Sequence, residues 1–303
     1  MMAMTQTMVS TIPEQISEQH FMEYYDNFDT TINLRLVILS CLKGNIGELW
    51  KLQVTKDSYA LLLVTDFMAA LVGDSTADPP VYANLFDKIK RHTMIFADND
   101  QWISLVKSHF GFRFVTRKNL RYSFNEQVLD LNYLYDLRSR YVRKYDYTGI
   151  EFRQIQPNDY DNVSEYLFGY FEMFTDKETL THSSLLHVAV GEQGQILAIA
   201  GTSDSPISGH YEVQIATEQD ARKRGLGMMV SITHLIYALE NGYWPHWDAA
   251  SKLSADLADK LGYGDRTPYD VYFHTTKLIK VLRMSRIPKL IVMILRKFGK
   301  LQD

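Results

Sequence analysis

The chain has a single cysteine, Cys41, in 303 residues. No internal disulfide can form, and nothing asks for an oxidising compartment. Cys41 sits in LRLVILSCL, a setting for a buried, inert thiol rather than a nucleophile. No run is long and uncharged enough to span a bilayer. The first fifteen residues, MMAMTQTMVSTIPEQ, lack the basic start and apolar core of a signal peptide, so a cytoplasmic location is expected. A basic excess is missing too: the net charge is -4, which argues against a nucleic-acid partner. Histidines lack metal-ligand spacing. His182 and His187 straddle a change from helix to strand, His246 stands apart beside Trp247, and no metal is expected.

What is present is an ordinary globular composition, 46% hydrophobic and 22% charged, in a chain long enough for two domains. Charge is uneven. From Lys277 to Asp303 eight Lys or Arg stand against one acid, so this basic, apolar tail is an electrostatic object of its own. Three readings of it stay open: a closing helix packed on the chain, a homodimer surface, or a helix lying on an anionic membrane.

Along the chain, residues 16–43 read as helix from their apolar recurrence. KLQV, YALLLVT and FMAALVG read as three strands, STADPP as a loop leading into a helix that ends near Arg91, MIFA as a buried strand, and Asp98 to Phe110 as a helix. FRFVTRKNLRYSF is a bent strand or a pair, and YLYDLRSRYVRKYDY a helix or an extended crossing segment. Ile150 starts afresh with IEFRQI. QPNDYDNV opens a helix capped by Asn158 or Asp159, and a second helix runs near Asp176 to Ser183. LLHVAV and ILAIAGTS form a hairpin, YWPHWD a strand, Ser251 to Leu261 a helix, and PYDVYFH a strand. An internal repeat is visible in pattern. DNDQWISLVKSHFGF and DAASKLSADLADKLGY each run from a strand-ending Asp through an amphipathic helix to Gly plus an aromatic, with Asp-to-Gly spacings of 13 and 14. The blander reading, that such a pattern is common in α/β proteins, stands beside it.

The centre of the chain is YEVQIATEQDARKRGLGMM, Tyr211 to Met229. It reads as a strand (Tyr211 to Ala216), a basic turn (Arg222 to Gly227) and an apolar helix from Met228. Such a junction aims unpaired backbone N–H groups and the positive end of the helix at one small volume, which suits a phosphate or pyrophosphate. Gly225 and Gly227 allow close approach, while Arg222, Lys223 and Arg224 add cationic charge.

Arg222-Lys223-Arg224-Gly225-Leu226-Gly227, with a strand before it, a helix after it and Lys260-Leu261-Gly262-Tyr263 downstream, resembles the R/Q-x-x-G-x-G/A signature of the GNAT N-acetyltransferases. The likeness runs over Ile150 to His274, and the N-terminal half shares it only through the repeat. It implies an α/β (α+β mixed sheet) chain with the GNAT acyl-CoA N-acyltransferase fold, as two tandem GNAT-like domains. These would be 1–147, degenerate, and 148–276, which binds acetyl-CoA, followed by the tail 277–303. The cosubstrate pyrophosphate would sit on the amides of Lys223 to Gly227, and its pantetheine arm along Ile215, Ala216 and Thr217. Glu212 is the expected base, sharing a strand face with His210 and Gln214, and His210, at the strand mouth, is the second candidate. At the family's usual acid, a Tyr, this chain has Ala258. Ser251 stands where an Asn is common, and Ser251 or Ser254 could donate to the CoA sulfur or pantetheine, although helix capping explains Ser251 equally well. Trp244 and Trp247 crowd the next strand, as core or as acceptor lining. The implied activity is acetyl transfer to a primary amine of a small molecule, antibiotic-like or polyamine-like. A protein or peptide amine, and a non-catalytic acyl-CoA-binding module, remain open.

Overall fold

The computed structural model describes residues 11–30, 33–172, 175–183 and 185–275; the tail from Lys277 lies outside them. Strand β1 (Glu14–Ile16) and helices α1 (Tyr25–Phe28) and α2 (Arg35–Lys43) precede β2 (Glu48–Gln53), β3 (Tyr59–Val64) and β4 (Met68–Gly73). Next come α3 (Ala83–Phe86), β5 (Met94–Ala97), α4 (Asp100–Phe110), the long β6 (Phe114–Asn125) and α5 (Leu131–Lys144). The chain continues through β7 (Glu151–Gln154), α6 (Glu165–Phe168), α7 (Lys177–Ser183), β8 (Leu185–Val190), β9 (Ile196–Thr202), β10 (His210–Glu212) and β11 (Gln214–Thr217). It ends with α8 (Leu226–Glu240), β12 (Trp244–His246), β13 (Asp248–Ala249), α9 (Lys252–Leu261) and β14 (Gly264–His274).

Two compact units result, both discontinuous in sequence: 1–18, 47–120 and 270–303 in the first, 19–46 and 121–269 in the second. The boundary expected at 147/148 falls inside the second unit. The cause lies in β6 and β14, each of which begins in one unit and ends in the other. Tyr272 and Phe273 of β14 pair with Ile95 and Met94 of β5 in the first unit, whereas Tyr122 and Ser123 of β6 pair with β13 in the second.

In the first unit β1 to β4 run antiparallel in chain order and β5 joins β4 in parallel. Both faces of β3 and β4 are buried, which is why YALLLV and MAALVG read as unbroken apolar runs rather than alternating ones. Tyr82, Phe86 and Trp102 pack against one face; Trp102 meets Tyr82 edge-on at 4.9 Å. Helix α4 starts where Asn99 accepts the Trp102 N–H at 3.2 Å and stops at Gly111, whose φ is 53°.

In the second unit β7, β8, β9 and β11 form an antiparallel sheet, and β10 pairs in parallel with β12. Antiparallel strands followed by a parallel one thus occur in both units. Helix α8 is apolar on nearly every face because it is covered from two sides: Leu226 and Val230 pack with Ala198 and Ala200, while Ile232 and Leu235 pack with Leu134 and Leu137 of α5.

Two expectations are corrected. Residues 16–43 are not one helix. Glu18–Tyr24 is 3-10, and α2 begins only after Leu34, which takes a left-handed φ of 58°; polar and β-branched DTTIN between them is poor helix material. QPNDYDNV forms a 3-10 turn, Pro157–Asn162, capped by Gln156 in a capping box with Asp159. Asp159 is held there by Arg153 at 2.7 Å.

Ile232→Ala, at a fully buried position, is expected to lower unfolding free energy by about 2–5 kcal/mol in urea melts. Leu253→Ala, at a side chain 82% exposed, should stay within about 0.5 kcal/mol of the parent.

Candidate active site

Tyr211 to Ala216 is not one strand. At Val213 it breaks into β10 and β11, which have different neighbours. His210–Glu212 lie beside Trp244–His246 in parallel register, and Val213 N–H donates to the His246 carbonyl at 2.9 Å. Past this point β11 pairs with β9, and β13 pairs with β6. Two strands that start as neighbours therefore take separate partners, leaving facing edges with backbone groups to satisfy. Edges of this kind accept an extended, amide-bearing chain as an added strand. Ile215, Ala216 and Thr217 all lie on this segment.

Downstream, α8 begins two residues earlier than its apolar pattern suggests, at Leu226, with Gly225 as a left-handed N-cap (φ 77°) and no side chain capping it. The first intrahelical bond runs from Met229 N–H to the Gly225 carbonyl, so the N–H groups of Leu226, Gly227 and Met228 precede the ladder. Both glycines are required by space. A Cβ on Gly227 would come within 2.8 Å of Thr217 Oγ1, and one on Gly225 within 2.8 Å of Tyr147 Oη. The three basic residues differ in setting. Lys223 and Arg224 are exposed. Arg222 ties the turn to its surroundings, donating to the Thr217 carbonyl at 3.4 Å and to Tyr166 Oη.

Glu212 lines two clefts of the second unit. One, about 310 Å3, also has Ser40, Thr202, Asp204, His210 and Gln214 in its wall; the Gln214 Oε1 is buried with no hydrogen-bond partner among the described residues. The other, about 530 Å3, adds Arg35, Phe124, His246, Trp247 and Asp248. The Glu212 carboxylate accepts the Asp248 N–H. Its pKa is pushed up to about 8, first by burial and then by the negative charge of Asp248, against the Asp248 N–H bond and Arg121. Asp248 is itself held: Arg121 Nε donates to Oδ1 at 2.7 Å, and Tyr269 Oη donates to Oδ2 at 2.5 Å.

The histidines are closer together than their spacing suggests. His210 Nδ1 lies 2.8 Å from His246 Nε2, which also lies 3.2 Å from Glu126 Oε1. Burial, then His210 and Arg35, push the His246 pKa down to about 4. His187 is buried, 3.2 Å from His234 Nδ1, and Tyr211 Oη meets His234 Nε2 at 2.7 Å. His182, by contrast, bonds only locally, to Thr181 and to the Glu178 carbonyl.

Ser251 is the N-cap of α9, accepting the Ser254 N–H at 3.2 Å, and the Ser254 hydroxyl is engaged by Trp247 Nε1 at 3.2 Å. Ala258 is fully buried in the cluster formed by α8, α9 and Trp247. The absence of a tyrosine there is thus a packing matter: that position points into the core. Asp204, Arg121 and Glu126 were missed from the sequence, whereas Gln214 was placed on the face of Glu212 and Asp248 was read only as a strand end. Of the three missed, Asp204 had a local signal, as the first acid beyond the apolar strand ILAIAGT.

A family model described as GNAT acetyltransferase matches residues 4–272. The likeness read on residues 150–274 therefore extends over nearly the whole chain. In the first half it showed only through the repeat, because STADPPVYANLF stands where the second half has its basic glycine turn. Among solved structures, a GCN5-related N-acetyltransferase-like protein from Streptococcus suis is similar at 21% identity and TM-score 0.60, covering 84% of this chain and 98% of that one. A GNAT-family acetyltransferase from Colwellia psychrerythraea is similar at 11% identity and TM-score 0.54, covering 87% and 99%. Comparison with curated proteins gives no match.

Placing the absent tyrosine by Ala258→Tyr is expected to overpack this cluster. Thermal melts should show destabilisation of about 1–3 kcal/mol, and any acyl-transfer rate should not rise.

Proposed function

The chain belongs to the GNAT acetyltransferase family, and on that footing we propose that it moves the acetyl group of acetyl-CoA to a primary amine of a small, cationic molecule. The observation that carries this reading is the smaller cleft beside the strand break. Its wall offers acceptors, the carboxylates of Asp204 and Glu212 and the unpaired Gln214 Oε1. Acceptors converging in a small volume suit an ammonium group, which brings only donors. A protein substrate would need a longer open groove.

In this reading the amides of Leu226 to Met228 and the exposed Lys223 and Arg224 hold the pyrophosphate, and the open edge of β11 holds the pantetheine amides. Glu212 takes a proton from the bound ammonium. The freed amine lone pair attacks the thioester carbon, the carbonyl oxygen becomes an oxyanion held by backbone N–H groups at the break, the nitrogen, cationic after attack, gives its second proton to water, and collapse expels the thiolate. Glu212 is preferred to His210 as the base, since the His210 Nδ1 is turned to His246. The Ser254 Oγ accepts the Trp247 Nε1–H, a bond that does not use its own O–H. No acid is needed for fast departure: a free thiol has a pKa of about 8.5, so the thiolate is a stable leaving group near neutral pH and takes its proton from water afterwards.

Acetyl-CoA at about 100 times its Kd should stabilise the chain by about 2.7 kcal/mol in thermal melts. No shift at saturating ligand removes the reading. Glu212→Gln should lower kcat for amine-dependent thiol release by about 10²–10⁴-fold while leaving the acetyl-CoA KM nearly unchanged. Stabilisation without thiol release across an amine panel would instead mark an acyl-CoA-binding module.

A further inference from the structure

Acyl transfer as proposed makes no use of Glu126, His210 and His246, yet three separate segments bring them together. Glu126 opens a 3-10 turn after β6, His210 starts β10, and His246 ends β12. Their three donor atoms all lie within 4.8 Å of one another.

The central atom is His246 Nε2, 2.8 Å from His210 Nδ1 and 3.2 Å from Glu126 Oε1. A ring nitrogen has one in-plane position, filled by either a proton or a lone pair. If Nε2 carries the proton, it can point at one of its two neighbours. If it does not, its lone pair faces the carboxylate oxygen directly. Hydrogen bonding alone thus leaves one contact poorly satisfied, whereas a cation set among the three donors satisfies all of them. The charge balance agrees. Glu126 and His246 are largely sheltered, with side chains 12% and 22% exposed, and His246 is the ion-pair partner given to Glu126 among the described residues. Of the nearby cations, Arg121 is committed to Asp248 and Arg35 to Asp29. The His210 ring is further fixed by stacking on Trp244, with planes 18° apart.

We propose that Glu126, His210 and His246 form a binding site for a divalent transition-metal ion of the zinc class. Two imidazoles and a carboxylate are a borderline donor set, suited to zinc and its first-row neighbours and ill suited to calcium or magnesium, which prefer oxygen ligands throughout. Bonds of about 2.0–2.1 Å in a tetrahedral site put donors roughly 3.3 Å apart. The two separations to His246 Nε2, 2.8 and 3.2 Å, lie within about half an ångström of that value, and the His210–Glu126 separation, at most 4.8 Å, closes as the ion draws the donors in. Three protein ligands leave a fourth position open. His246 and Glu212 line the same larger cleft, so that position faces solvent-accessible space.

The test is titration of the full chain, stripped with a chelator, with zinc chloride alone, followed calorimetrically and by the visible spectrum after cobalt substitution. One saturable equivalent is expected, with a cobalt spectrum of tetrahedral type. His246→Ala and Glu126→Gln should each weaken binding by about 100-fold or more, and His182→Ala should bind as the parent does. Circular dichroism monitors folding; if His246→Ala fails to fold, the isosteric Glu126→Gln decides. Absence of saturable binding by the parent, or parental affinity in Glu126→Gln, overturns the proposal.

Discussion

The hydrogen bond from Val213 N–H to the His246 carbonyl marks the last point at which β10 and β12 are neighbours. Everything chemical in the second unit is arranged around it. Upstream, parallel pairing sets His210 beside Trp244 and Glu212 beside His246. Downstream, β11 leaves for β9 and β13 for β6, and the chain goes on to the left-handed Gly225 and the exposed amides of α8. A continuous strand would have paired its whole length with one neighbour and left no edge for an extended ligand. Moving the break by one residue would turn Glu212 to the opposite face, since strand side chains alternate.

Much of the fold was legible because its signals are local. The strands β2 to β5, the hairpin of β8 and β9, the helix α4, the helix α9 with its Ser251 cap, and the glycine turn before α8 all declare themselves within about ten residues. The break at Val213 does not. Tyr-Glu-Val-Gln-Ile-Ala alternates without a glycine or proline to mark a change of partner. The setting of Glu212, against Asp248 and Arg121, depends on segments far apart in the chain. So does the meeting of Glu126, His210 and His246, which defeats any reading by ligand spacing. The seven residues Glu18 to Tyr24 show the converse: a helix-like recurrence that the structure winds as 3-10.

The unit boundaries were hidden for a related reason. YLYDLRSRYVRKYDY read as a helix or an extended crossing segment, and that stretch does hold a polar, aromatic helix, α5. Its Leu134 and Leu137, however, are buried against α8, so it is part of a core rather than a tether. The long strands β6 and β14 each give one part to each unit. Cutting the chain at 147 would leave each unit without a strand that its sheet uses.

The second unit also carries an imbalance of buried charge that its ligands can correct. Asp248 and Glu126 lie close enough to Glu212 to raise its proton affinity, while the ion pair of Arg121 is with Asp248. Sheltered carboxylates that lack a full complement of opposite charge are unfavourable in low-dielectric surroundings. A fold retains such an arrangement when a cation completes it. At Glu212 that cation is a proton or the ammonium of an acceptor, and at Glu126 it is an ion shared with two imidazoles. Acidity placed on both sides of β10 is therefore the feature on which the proposed amine site and the proposed metal cluster both rest, without either depending on the other.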